Sequence, residues 1–196
     1  MTTNPPSLHQ LRLRQLAVYL REAEQVLADW DLYSDQNSTL DGWPIDDVAY
    51  GLRQRQRDAD TWRAFRPLLY DGHHLLDGAQ AQLARIPQDQ RSPHWGPHLA
   101  QLRQALEEMR ALQSEWTRIR EALPESARPG TRAYDEPLTD RNAEAWSPLV
   151  TWADDGLTLI NIDVTAELGV LPRERLAPAP ALNSPPVPGT SRRRSR

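Results

Sequence analysis

The chain has 196 residues, 39% of them apolar and 26% charged, with a formal net charge of -4 and no cysteine. That length supports one sizeable core, and the missing cysteines exclude disulfides, thiolate metal sites and cysteine nucleophiles. All 23 basic residues are arginine; residues 1–171 hold 17 of them against 26 acids, and residues 172–196 hold six against Glu174 alone.

An acidic body argues against a nucleic-acid-binding core. Pro5, Pro6, His9, Arg12 and Arg14 interrupt the leucines of the first 18 residues, where a signal peptide needs an unbroken apolar run. No window approaches the ~20 apolar residues of a membrane span. A cytoplasmic location is the default expectation.

Ser7 is placed as the N-cap of a helix over about residues 8–32, because Leu13, Leu16, Leu20, Ala23, Leu27 and Trp30 recur at spacings of three and four. Polar residues and Asp41-Gly42 then form a loop, and Pro44 is placed to open a second helix whose dipole Asp46 and Asp47 complement. Its stripe of Val48, Leu52, Ala59, Trp62, Phe65, Leu69, Leu76, Ala79, Leu83 and Ile86 keeps phase across Pro67 and Gly72, which predicts one kinked helix. A third stripe runs from Leu99 through Leu102, Leu106, Met109, Leu112, Trp116 and Ile119 to Leu123 and stops before Pro124.

Residues 7–123 therefore read as a mainly α, elongated antiparallel bundle of three helices, or of four if the chain breaks near Pro67–Gly72. The second helix would span about 65 Å against about 40 Å for each neighbour. Apolar stripe stays open unless the chain folds back at Pro67, the C-terminal segment covers it, or a second copy does.

Residues 124–171 read as a loop followed by a small appendage. Leu149–Ala153 and Leu157–Val164 flank Asp155-Gly156, a turn dipeptide that predicts a β-hairpin over 149–164. The alternative is a short helix from Asn142 to Ala153 with Gly156 as its stop. Residues 172–196 are rich in proline and arginine with almost no aromatic or β-branched content, and read as a disordered tail.

Chemical signatures are sparse. His73 with Asp77 and His94 with His98 have the i,i+4 spacing that lets two side chains share a metal, but the expected hairpin register holds the two pairs about 7 Å or more apart. Neither a metal nor a cofactor is expected. The pairs Asp46-Asp47, Glu107-Glu108 and Asp154-Asp155 read as a helix-dipole complement, a solvated face and a turn. No phosphate-cradling glycine run or nucleophile elbow occurs. Trp30, Trp62 and Trp116 lie on apolar stripes, whereas Trp43, Trp95, Trp146 and Trp152 fall near element boundaries and are candidate exposed anchors.

The expected function is a non-enzymatic interaction or scaffold protein. It would self-associate, or bind another protein, through the seam of Leu13, Leu16, Leu20, Leu27 and Trp30. One alternative is an all-helical metal-dependent enzyme built on His73 and Asp77. The other is a nucleic-acid accessory protein whose Arg192, Arg193, Arg194 and Arg196 make weak contacts to phosphate or to an acidic surface.

Overall fold

The structure, a computed structural model, describes residues 7–170; the expected disordered tail at 172–196 lies outside the described residues. The chain is mainly helical: α1 (Leu8–Asn37), α2 (Asp47–Phe65), α3 (Leu68–Arg85), α4 (Trp95–Ala122), α5 (Arg132–Glu144), α6 (Trp146–Asp155) and α7 (Leu157–Val170), with a 3-10 turn at Gln88–Gln90.

Local chemistry sets the helix ends. Ser7 caps α1 through a capping box: its hydroxyl accepts from the Gln10 N–H, and the Gln10 side chain accepts from the Ser7 N–H. α2 starts at Asp47 and not at Pro44, because the Asp46 carboxylate caps it by accepting from both the Val48 and Ala49 N–H groups. Pro67 carries no N–H and interrupts the ladder, so α2 ends at Phe65 and α3 begins at Leu68.

The break at Pro67 is a kink and not a reversal. Tyr19 of α1 meets Phe65 of α2 edge to face at 5.0 Å, and Arg12, two turns earlier on α1, reaches Asp71 of α3. α2 and α3 thus form one rod running antiparallel to α1. α4 returns beside α3, with the Arg110 guanidinium donating to the carbonyls of Leu69 and Tyr70 and Arg103 bonding Asp77.

The β-hairpin expected at 149–164 is a helix pair; no β-strand occurs among the described residues. Leu149, Trp152, Gly156, Leu159 and Ile162 are buried, and their spacing is three and four, the helical period. The β-branched flanks imitated alternation, and Gly156 does not turn the chain through positive φ but sits at φ -60 between α6 and α7. Nor do these residues form an appendage. The Trp152 indole bonds the Leu102 carbonyl of α4, and Tyr19 of α1 donates to the Leu149 carbonyl. The loop expected at the start of 124–171, residues 125–137, is not all loop either, since α5 starts at Arg132 and contains Pro137.

α6 and α7 together make a fourth rod, antiparallel to both α1 and α4, since Leu149 and Asp163 meet Tyr19 and His9 of α1 while Trp152 and Thr158 meet Leu102 and His98 of α4. α5 packs on α2 and α4, with Arg141 over Trp62 and Tyr134 against Trp116. Of the three ways to cover the long apolar stripe, the C-terminal segment supplies the cover. The shared core includes Leu16, Tyr19, Phe65, Leu69, Leu106 and Trp152, all buried almost completely; each such side chain contributes about 1.5–3 kcal/mol of transfer free energy. Gly72 allows the close approach at its centre, since a Cβ there would lie 3.2 Å from Leu106 and 3.5 Å from Trp152.

Candidate interaction surface

The seam of α1 is closed within the chain over most of its length. Leu16 is fully buried, and Leu13 and Leu20 pack at the edge of the same core. Leu27 is half-buried, and Trp30 lies against Tyr50 at 5.0 Å, edge to face. The open apolar surface is elsewhere.

Beyond Ala23 on α1 and before Asp58 on α2 no residue is buried, so the two helices continue as a hairpin whose tip is residues 38–46. Backbone hydrogen bonds hold this tip: Ile45 N–H donates to Asn37 O at 2.8 Å, Thr39 N–H to Trp43 O at 2.7 Å, and Gly42 N–H to Thr39 O at 2.9 Å, with Gly42 in the left-handed region at φ 81. The Thr39 hydroxyl also accepts from the Trp43 N–H. A fixed loop thus keeps apolar side chains in water. Leu40 is fully exposed and Trp43 is 73% exposed, with Ile45, Val48, Leu52 and Leu32 exposed around them.

Fixed display of that kind is uncommon for large apolar residues unless something covers them. The expected core stripe of helix two fails at its first two members, because Val48 and Leu52 lie beyond the reach of α4 and the fourth rod. Of the boundary tryptophans, Trp43 alone is displayed; Trp152 is at the centre of the core, and Trp95 and Trp146 are half-buried.

The distal part of the hairpin, tip included, is also acidic. Asp29, Asp31, Asp35, Asp41, Asp46 and Asp47 fall between positions 29 and 52, and no arginine or histidine does. Among the described residues no basic side chain comes within ion-pair distance of Asp31, Asp35, Asp41 or Asp47.

An aromatic neck joins the tip to the body. Trp30, Tyr33 and Tyr50 cluster, the Ser34 and Tyr50 hydroxyls lie 2.8 Å apart, and the Arg57 guanidinium is sandwiched between Trp30 at 4.4 Å and Trp146 of α6 at 3.5 Å. Arg57 also donates twice to the buried Asp58 carboxylate, at 2.9 and 2.6 Å. Burial pushes the Asp58 carboxyl above the usual carboxylate range, against the opposing pull of Arg57. Planar stacking of guanidinium on indole suits arginine and not lysine.

The histidines are dispersed. His73 Nδ1 lies 2.9 Å from Arg110, and Asp77 pairs with Arg103, so each has its own arginine. His94 precedes α4, and His98 Nδ1 lies 2.9 Å from the Thr158 hydroxyl and 3.5 Å from Asp155. Thr158 and Asp155 face the same ring nitrogen, so they cannot form a nucleophile–base–carboxylate relay, which needs both nitrogens. No group of three or more histidines and carboxylates among the described residues is placed to hold a metal ion.

A second cluster that the sequence did not disclose joins His9, Gln82 and Asp163: His9 Nε2 and Gln82 Nε2 both meet Asp163 Oδ1, tying α1, α3 and α7. A cavity of about 530 Å³ opens beside it, lined by Gln82, Arg85, Ile86, Thr165 and Ala166. No helix among the described residues is long and apolar enough to cross a membrane.

Comparison of the chain with family models, curated proteins and solved structures finds no match in any of the three.

Proposed function

We propose that the chain is a non-enzymatic interaction protein, acting in the cytoplasm as a homo-oligomer, that presents the α1–α2 tip as its apolar docking surface. The single observation that carries this reading is the fixed exposure of Leu40, Trp43 and Ile45 on a hydrogen-bonded loop. A loop with no docking role gains nothing by holding a tryptophan in water, and tryptophan is the residue in which interface energy most often concentrates. The bundle serves as a scaffold. Its aromatic neck fixes the direction of the tip, which lowers the ordering cost of association.

Light scattering on the full chain tests this reading, with Leu40→Ser/Trp43→Ser as the variant. Both positions are exposed, so helicity and melting temperature stay at parent values. The expected result is a dimer or larger species for the parent at micromolar concentration and a monomer for the variant. A variant that associates as the parent does would overturn the assignment of the surface.

A further inference from the structure

We infer that the occupant of the α1–α2 tip is the arginine-rich C-terminal segment, residues 171–196, of a second copy of this chain. The inference rests on the reading of the tip as a docking surface and names its partner.

Charge selects the partner first. The distal hairpin around the tip, positions 29 to 52, carries six aspartates and no base, so pairing two tips would set acid against acid. The segment after Val170 carries a basic excess of five, Arg173, Arg175, Arg192, Arg193, Arg194 and Arg196 against Glu174. Guanidinium groups match carboxylates in bidentate geometry, and Asp31, Asp35, Asp41 and Asp47 have no basic side chain within ion-pair distance among the described residues.

The apolar chemistry agrees. Shortly before Arg192, Arg193, Arg194 and Arg196, with Gly189, Thr190 and Ser191 between, the chain reads Pro185-Pro186-Val187-Pro188. Exposed tryptophan faces are the usual platform for proline-rich segments, and Trp43 stands between Asp41 and Asp46. A proline cluster within a few residues of arginines in one partner thus meets a tryptophan within a few residues of aspartates in the other.

Reach decides between one copy and two. α7 lies beside Gln82 through Asp163, at the end of the α2–α3 rod remote from the tip. That rod, from Asp47 to Arg85, is about 58 Å long at about 1.5 Å per residue. The chain from Val170 to Arg192 covers at most about 75 Å at about 3.4 Å per residue, so contact within one copy draws it to about three quarters of its full length, at a high entropic cost. Two copies side by side and antiparallel bring the origin of each tail next to the other's tip. Both contacts then close together, and the second forms at high effective concentration although exposed ion pairs are individually weak.

Charge reversal in the full chain tests the inference. In one variant Asp31, Asp35 and Asp41 become arginine; in the other Arg192, Arg193, Arg194 and Arg196 become aspartate. Asp46 is left in place because it caps α2. In sedimentation velocity at low salt the parent is a dimer, and each variant alone dimerises at least about tenfold more weakly through like-charge opposition. An equimolar mixture of the two variants restores the dimer, because each tip then meets a tail of opposite sign. If the tail variant keeps the parent dimer constant while Leu40→Ser/Trp43→Ser loses it, the tip is a docking surface and its occupant is something other than the tail. A parent that is monomeric throughout the micromolar range, or a mixture that fails to restore pairing, overturns the inference.

Discussion

The indole Nε1–H of Trp152, on α6, donates a 3.0 Å hydrogen bond to the backbone carbonyl of Leu102, on α4, inside the core. Its ring meets Phe65 of α2 edge to face at 5.2 Å, so one side chain joins three rods. Trp152→Phe removes the donor and leaves a void, and should lower stability by about 1–3 kcal/mol. Denaturant midpoints measure this directly. A midpoint equal to the parent's would show that the core closes without the indole.

Tyr19 is fully buried and donates to the Leu149 carbonyl at 2.7 Å. Burial, reinforced by the charge of Asp154, pushes its hydroxyl far above the usual tyrosine range. The unfolded chain releases this proton near pH 10 and the folded chain holds it. The contribution of Tyr19 to stability is therefore complete below about pH 10 and is lost as the pH rises beyond it. In an alkaline absorbance titration, one of the five tyrosines should stay silent until the helices melt. Full phenolate signal from a chain whose circular dichroism is intact would contradict this.

Arg57 stands between the indoles of Trp30 and Trp146 and bonds Asp58. Arg57→Gln leaves the Asp58 carboxylate buried without its cation, which favours the protonated form further. Folded Asp58 then holds a proton that the unfolded chain has released, so stability falls as the pH rises through and above the ordinary carboxylate range. The slope relative to the parent should approach about 1.4 kcal/mol per pH unit. Urea midpoints at several pH values test it, and a deficit that does not change with pH would rule out the unpaired carboxylate as its cause.

Gly156→Ala sets two effects against each other. Alanine favours helix by about 1 kcal/mol over glycine. Its Cβ, however, would collide with the Trp152 carbonyl and lie 3.1 Å from Leu20 at the junction of α6 and α7. A clash with backbone has no cheap relief and costs about 1–3 kcal/mol, so the variant should melt lower than the parent. A rise in melting temperature would mean that the junction has room to shift.

Periodicity carried most of the helical body. The stripes of α1, α2–α3 and α4 were legible because each buries one face for many turns, and the kink at Pro67 followed from phase kept across a proline. α6 and α7 were not: each is short, and Val150, Thr151, Thr158, Ile160 and Ile162 give these helices a β-rich composition that only burial among three neighbours overrides. The tip was hidden for the opposite reason. Val48 and Leu52 are in phase with the core stripe, yet no other rod extends far enough to cover them, and sequence phase carries no information on where a neighbour stops. Its acid content and Trp43 at a boundary were the available signals.

The inner face of α1 is finished by residues far down the chain: Leu149 receives the Tyr19 hydroxyl from 130 positions away, and Asp163 meets His9 across 154. During translation the first helix is therefore made early and clothed last. Until α6 and α7 leave the ribosome, Leu16 and Leu20 face water, and the nascent chain is a natural client for chaperones that hold apolar helix faces. Closure over such separations also slows folding, because loop entropy is lost before the distant contacts form. Premature termination anywhere before α6 would then yield a sticky fragment and not a smaller, stable version of the protein.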